Sequence, residues 1–163
     1  ASLLVESIIP KRSKLDEKLA LQAGLKRTAE MGWTQLHDAG SPLSDYQILK
    51  EIKDEDEMPV RIQFYVSDGE DASKFIETGP YLDPDYFLTA RGIKLYADGA
   101  IGSRGAAFFK KYDDYETKGF LIFQKEETMP KLIKALVNGI QVQTHAIGDL
   151  ANKVTLDLSL IHI

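Results

Sequence analysis

The chain has 163 residues, a formal net charge of −5 and no cysteine. This length accommodates one compact domain with a sizeable core. The absence of cysteine excludes disulfide bonds and thiolate metal ligands, and the mild negative charge argues against a nucleic-acid partner. No apolar run approaches the ~20 residues that a membrane-spanning helix needs.

The amino-terminal part of the chain predicts a helix, a strand and a second helix. Ser13 and Gly32 are typical of residues that begin and end a helix. Trp33–Leu36 then predicts a short strand, and Tyr46–Ile52 predicts the next helix. Because the strand is followed at once by His37, this histidine is expected at a strand end.

The middle of the chain predicts two further strands. Apolar side chains recur at every second position of Val60–Val66, which is the pattern of a strand with one buried face. The same alternation at residues 93–98 places Lys94, Tyr96 and Asp98 together on the opposite face. Lys94 is therefore expected in an otherwise apolar strand, close to its end.

The carboxyl-terminal part repeats the order of helix, glycine, strand and histidine. Met129–Val137 predicts an apolar-striped helix, which Gly139 ends, and Ile140–Thr144 predicts a strand that runs into His145. Strands separated by helices of this length indicate βαβ units. The sequence therefore predicts an α/β fold with a parallel sheet of about four strands.

Polar residues cluster where the predicted strands end. Parallel α/β proteins place their active sites at this edge. A histidine there is nevertheless more often a hydrogen-bonded structural residue, and an outward-facing lysine is a solvated side chain. The candidates form three groups, which are His37 with Asp38, Lys94 with Asp98, and His145 with Asp149.

A glycine-rich loop follows the predicted strand that contains Lys94. Gly99, Gly102 and Gly105 are spaced so that a ligand could approach the backbone closely, and a phosphate cradle is one interpretation. Their spacing matches neither the dinucleotide-binding fingerprint nor the P-loop. An aspartate followed by glycine is also typical of an ordinary turn.

Three segments together resemble a known family. They are GIKLYADGAIGSRGAA at residues 92–107, followed by Tyr112-Asp113 and by Gly119–Leu121; QTHAIGDLAN at residues 143–152; and GWTQLHDAG at residues 32–40. In this order and at this spacing they resemble amidohydrolase family 3, in its YtcJ-like or N-substituted-formamide-deformylase-like branch.

The resemblance implies a partial (β/α)₈ barrel of the metal-dependent hydrolase type, covering about strands two to five. It further implies that Lys94 is carboxylated and that Lys94 and His145 bind a divalent metal, expected to be one or two zinc ions. The remaining matched positions are implied to line or shape the substrate pocket, and they are Asp98, Arg104, Asp149 and His37.

Several parts of the family pattern are not found in the chain. The expected His-x-His pair, the strand-six histidine and the strand-eight aspartate that acts as general base have no counterpart, and a complete (β/α)₈ barrel typically needs about 250 residues. We therefore expect residues 1–157 to be an internal piece of the barrel that is inactive alone. Residues 158–163 match the translation of a transposon-end adapter used for sequencing libraries, so His162 is expected not to be a native ligand.

The expected function is hydrolysis of a non-peptide, amide-like C–N bond in a small molecule by metal-activated water. One alternative is a Schiff-base lyase or aldolase, because a lysine at a barrel strand end can attack a carbonyl carbon. Another is a catalytically incomplete remnant or binding module. His145 favours the hydrolase, because a Schiff-base enzyme does not need a metal-ligand histidine at that position.

Overall fold

The structure is a computed structural model that describes residues 8–159. None of the helices in this range combines the length and the apolar character needed to cross a lipid bilayer. In chain order the elements are α1 (Lys14–Glu30), β1 (Gln35–Ser41), α2 (Leu43–Asp54), β2 (Arg61–Ser67), α3 (Glu70–Thr78), β3 (Tyr81–Leu82), β4 (Leu88–Tyr96), α4 (Lys125–Val137), β5 (Gln141–His145) and α5 (Asp149–Ser159).

The strands form one five-stranded sheet. Four of them run parallel in the order β1-β2-β4-β5, while the two-residue β3 pairs antiparallel with the first part of β4. The predicted α/β class and the parallel sheet of about four strands are therefore confirmed. Because the four strands point the same way, all four carboxyl ends meet at one edge, which we call the carboxyl edge.

The two faces of the sheet differ in chemistry. The helix-covered face is apolar, and the open face carries polar and aromatic side chains. The alternation predicted for residues 60–66 is confirmed, because each of its apolar residues is buried. Buried side chains of the helix-covered face are Ile62, Phe64, Val66, Leu88, Ala90, Ile93 and Leu95. The open face carries Tyr65, Lys94, Tyr96, Gln141 and His145, as the register of the strands requires.

Gly92 allows an aromatic ring to lie flat against the open face. A Cβ atom at this position would be 2.2 Å from Cδ1 of Tyr65, so any other residue would displace the ring. The Tyr65 hydroxyl donates a hydrogen bond to Oε1 of Gln141 at 3.2 Å. This pair lies on the open face, on the amino-terminal side of Lys94.

The structure adds elements that the sequence patterns did not indicate. Helix α3 and strand β3 were not predicted, and β1 begins two residues later and ends five residues later than the predicted strand. At the other end of the chain, Leu158 and Ser159 belong to α5, and Leu158 is buried in the main core. Residues 160–163, including His162, lie outside the described residues, and the read-through origin of 158–163 stays a prediction.

Candidate metal site at the carboxyl edge

Lys94 lies at the carboxyl edge of the open face. It pairs in register with Ser67, the last residue of β2, and with Gln143 of β5. Its side chain is half-buried, and Nζ lies 5.4 Å from the centre of the Tyr96 ring. Within residues 8–159 Lys94 forms no ion pair with a carboxylate. A half-buried amine without an acidic partner is unusual, and it leaves Nζ available for chemistry.

Gly40 of β1 makes the space for the Lys94 side chain. A Cβ atom at Gly40 would lie 3.0 Å from Cγ of Lys94 and 3.1 Å from the hydroxyl oxygen of Tyr96. Gly40 also has a φ of +114°, which a residue with a side chain rarely adopts. It sits at the irregularity between Ala39 and Ser41 where the β1–β2 register shifts. The third motif segment therefore contributes a glycine to the edge.

His145 is the last residue of β5 and lies on the same face as Lys94. It pairs in register with Tyr96, and the two ring centres are 5.7 Å apart. Its carbonyl oxygen accepts a hydrogen bond from the backbone N–H of Ala97 at 2.8 Å. Since both Lys94 and His145 contact the Tyr96 ring, the structure brings the two predicted ligands together around one tyrosine.

Asp98 is buried next to His145. Its carboxylate accepts hydrogen bonds from the backbone N–H groups of Ala107, Ile147 and Gly148 at 2.8, 2.9 and 2.8 Å. Nε2 of His145 lies 3.7 Å from Oδ1. Burial alone would raise the pKa of Asp98, but the three N–H donors and the nearby imidazole outweigh it and hold the pKa below its ordinary value.

Two other predicted pocket residues, Arg104 and Asp149, form hydrogen bonds with neighbouring segments. Oδ1 of Asp149 accepts hydrogen bonds from the backbone N–H groups of Phe109 and Leu150 at 2.9 and 2.8 Å. Arg104 donates two hydrogen bonds to Asp114, at 2.9 and 3.4 Å. Arg104 and Asp149 thus shape the loop after β4, and their contact with a substrate stays a prediction.

The predicted position of His37 at a strand end is wrong. β1 continues to Ser41, so His37 is an interior residue of the strand, paired with Gln63 and stacked on Tyr65 at 6.3 Å between ring centres. Gln63 precedes Ser67 by four residues, so His37 lies roughly 13 Å from the carboxyl edge, at about 3.3 Å per residue. Strand pairing with β2 extends β1 beyond its short apolar run and leaves His37 on the open face, away from Lys94.

Asp38 follows His37 but faces the other way. It pairs with the buried Phe64, which places it on the helix-covered face, and it accepts a hydrogen bond from the Ser41 hydroxyl at 2.7 Å. Burial raises the pKa of Asp38, and the Ser41 hydrogen bond opposes this shift. The structure therefore places His37 and Asp38, which the sequence pattern had paired at one strand end, on opposite faces of the sheet and away from Lys94.

Two features of the site were not recognised from the sequence. Tyr96 lies close to both predicted ligands, although its place on the same face as Lys94 follows from strand alternation. The glycines after β4 have a packing role, because a Cβ on either Gly99 or Gly105 would lie 3.2 Å from the Cα of the other. The N–H of Gly99 also donates to the carbonyl oxygen of Gly105 at 3.1 Å. This close approach accounts for both glycines without a bound phosphate.

The residues present fit part of a metal site. No group of three His, Asp or Glu side chains that could hold an ion occurs in the part of the chain that the structure describes. Lys94 and His145 share one face, and a carboxylated lysine with an imidazole would offer one oxygen and one nitrogen donor. That donor set suits zinc, although a complete zinc site needs three or four protein ligands.

A parallel α/β sheet with polar side chains at its carboxyl edge places the chain among the α/β proteins, and the same arrangement occurs in barrels and in open sheets. The sequence profile of the amidohydrolase family matches residues 1–157, and the chain belongs to that family. The resemblance found from the three motif segments is therefore confirmed.

Two curated proteins and two solved structures show the same relationship. The chain is 39% identical over 82 residues to the putative amidohydrolase YtcJ of Bacillus subtilis, and 37% identical over 73 residues to the protein LONG AFTER FAR-RED 3 of Arabidopsis thaliana. These matches cover 49% and 44% of the chain. Uncharacterized metal-dependent hydrolases of Pyrococcus furiosus and Pyrococcus horikoshii superpose on 98% and 93% of it, each at 26% identity and a TM-score of 0.81.

The chain is much shorter than these relatives. The matched regions span 14% and 12% of the two curated proteins and 34% and 31% of the two solved chains. The α/β sheet is thus compatible with a section of a (β/α)₈ barrel, as predicted.

Proposed function

We propose that this chain is part of a metal-dependent amidohydrolase that hydrolyses a non-peptide, amide-like C–N bond in a small molecule. The observation that carries the proposal is the placement of Lys94 and His145 on one face at the ends of neighbouring strands, both close to the Tyr96 ring. Membership of the amidohydrolase family supports the reaction class.

Lys94 is suited to become an anionic ligand. Its neutral amine would add to the carbon of CO₂, and loss of one proton would give a carbamate on Nζ. The absence of a carboxylate partner within residues 8–159 supports this step, because no ion pair has to be broken before the carbamate forms. The open-face position gives CO₂ and substrate access to Nζ.

His145 would supply a neutral nitrogen donor beside that carbamate. Its carbonyl oxygen accepts a hydrogen bond from the N–H of Ala97, and its ring lies beside the Tyr96 ring and 3.7 Å from the Asp98 carboxylate, contacts that favour one orientation of the imidazole. The expected metal is zinc, as one or two ions. When bound, it would activate a water molecule and polarise the scissile carbonyl. The general base is not assigned to any residue of this chain.

The test uses the longest natural polypeptide that contains these residues, which we call the parent polypeptide. The purified protein should contain stoichiometric divalent metal by elemental analysis and should lose amidase activity on chelation. Lys94→Ala should lose both metal and activity. Lys134→Ala is the matched control, because Lys134 on α4 forms an exposed ion pair with Glu77 on α3, and this variant should retain both metal and activity.

Two results would contradict the proposal. A fully active, metal-free preparation would exclude metal-dependent hydrolysis. If borohydride traps a substrate adduct on Lys94, the residue acts as a Schiff-base nucleophile and the lyase or aldolase alternative is correct.

A further inference from the structure

We infer that Asp98 is a positioning residue for His145, which it holds by fastening the loop after β4 to the turn before α5. The inference rests on the proposed function, because it assigns Asp98 a role toward a metal ligand. It differs from the sequence expectation, in which Asp98 was a residue of the substrate pocket.

The carboxylate joins two segments that are distant in the chain. Ala107 belongs to the loop after β4, whereas Ile147 and Gly148 follow β5, and all three donate backbone N–H groups to Asp98. The Asp98 side chain is fully buried, so these hydrogen bonds do not compete with water. Both segments are therefore fixed relative to His145, which directly precedes the second of them.

The loop after β4 and the turn before α5 pack backbone against backbone next to Asp98. A Cβ atom on Gly148 would lie 1.8 Å from the carbonyl oxygen of Ala107. That same oxygen accepts hydrogen bonds from the N–H groups of Leu150 and Ala151 at 3.1 and 3.3 Å. The carboxylate of Asp149 also accepts a hydrogen bond from the backbone N–H of Phe109. We call these contacts the loop clasp, and Asp98 is the member of the clasp that faces His145.

The chemistry of the contacts requires an acid rather than an amide. The three backbone partners are all N–H donors, and a carboxylate presents only acceptors. An asparagine would turn its NH₂ group either toward Ala107 and Gly148 or toward Ile147 and His145, and would leave at least one donor unpaired. Asp98→Asn therefore changes the contacts while almost preserving the volume.

The geometry also distinguishes the two ring nitrogens of His145. Nε2 is the nitrogen that lies 3.7 Å from Oδ1 of Asp98. A carboxylate on that side favours the tautomer with its proton on Nε2, which leaves the lone pair on Nδ1 for a cation. Asp98 would thus set both the orientation of the ring and the nitrogen that binds.

The experiment compares Asp98→Asn with Asp149→Ala in the parent polypeptide. Asp149→Ala removes a loop-clasp contact and leaves the contact between Asp98 and His145 in place, so in these two readouts, which involve no substrate, it reports on the loss of the clasp. The first readout is the His145 tautomer, measured by ¹H–¹⁵N correlation in the metal-free protein at a pH where the ring is neutral. The second is zinc affinity by competition with a chelating dye.

We expect the Nε2-protonated tautomer in the wild type and in Asp149→Ala, and a mixture of tautomers in Asp98→Asn. Zinc affinity should fall about 10- to 100-fold in Asp98→Asn, as for other partners of metal-binding histidines, and should change little in Asp149→Ala. Equal losses of affinity in the two variants would show that Asp98 acts only through the fold.

The wild-type tautomer decides the inference even if Asp98→Asn does not fold, because protonation on Nδ1 would overturn it. A parent polypeptide that shows the Nε2 tautomer but binds no zinc would refute the proposed function and leave the contact between Asp98 and His145 intact. The two failures are therefore distinguishable.

Discussion

Two fully buried aspartates stand at opposite ends of β4, and their surroundings differ. Asp83, before the amino end of the strand, lies 2.7 Å from Nζ of Lys53 and accepts a hydrogen bond from the N–H of Phe87 at 3.1 Å. Asp98, after the carboxyl end, has no lysine or arginine partner in the described part of the chain and is held by backbone N–H groups beside His145.

Asp83 forms an ion pair that stabilises the fold, whereas we infer that Asp98 positions a residue of the candidate site. Asp83 and Lys53 neutralise each other and bind α2 to the turn before β4. Asp98 keeps its negative charge next to an imidazole, where it can influence what the imidazole binds. The amino end of the sheet is therefore expected to carry stability, and the carboxyl edge to carry function.

The largest effect on stability is expected where the loop clasp is tightest. Gly148→Ala should destabilise the parent polypeptide by about 3 kcal/mol, because the new methyl group would overlap the carbonyl of Ala107 and force backbone to move. Thermal or urea unfolding measures this change. Gly102→Ala is the matched control, since nothing lies within 4 Å of its Cβ position, and comparable losses in the two variants would contradict the tight packing of the clasp.

At the amino end, Asp83→Ala should cost about 2 kcal/mol of unfolding free energy, because it leaves the part-buried N–H of Phe87 without an acceptor and Lys53 without its partner. The hydrogen bond from Lys53 lowers the pKa of Asp83, and burial opposes the shift. A lowered native pKa gives stability that is present above about pH 4 and is lost as the pH falls through the native value.

The stability difference between wild type and Asp83→Ala should therefore shrink in acid. Urea unfolding at several pH values measures it, and a difference that grows below pH ~4 would contradict the sign of the shift. Zinc content at neutral pH should be unchanged in the folded variant, since Asp83 is far from the carboxyl edge. If Asp83→Ala lost zinc in proportion to its loss of stability, the proposed difference between Asp83 and Asp98 would be contradicted.

Local sequence patterns predicted the strands and the strand-end positions of Lys94 and His145, whereas their role as metal ligands was implied by the family resemblance and stays a prediction. Lys94 and His145 were found because alternation and chain order place them at strand ends. The partners of Asp98 are main-chain N–H groups up to 50 positions away in the chain, and no pattern of side chains indicates them. His37 was misplaced because pairing with β2, a non-local effect, sets the length of β1.

The short elements escaped prediction for a related reason. Helix α3 has only nine residues, so the helical spacing of its buried residues Ala72, Phe75 and Ile76 covers a single turn and is shorter than the window in which a helical period is counted. It is bounded by Gly69 and Gly79, both with positive φ, which would indicate a loop as readily as two helix ends. Packing against β2 and α4 stabilises it, and this packing is visible only in the folded chain.

The smallest expected effect on stability comes from the residue expected to matter most for activity. Lys94→Met removes the amine but keeps an unbranched side chain of similar reach. Because Lys94 has no ion-pair partner within residues 8–159, the unfolding free energy should change by less than about 0.5 kcal/mol, while metal-dependent activity is lost. Lys53→Met is the matched control, because it leaves the buried Asp83 carboxylate unpaired and should clearly destabilise the fold. Urea unfolding and zinc content, measured on both variants, give the comparison. If Lys94→Met destabilises the protein as much as Lys53→Met, then Lys94 belongs to the structural framework, and its position on the open face no longer supports a role in the chemistry.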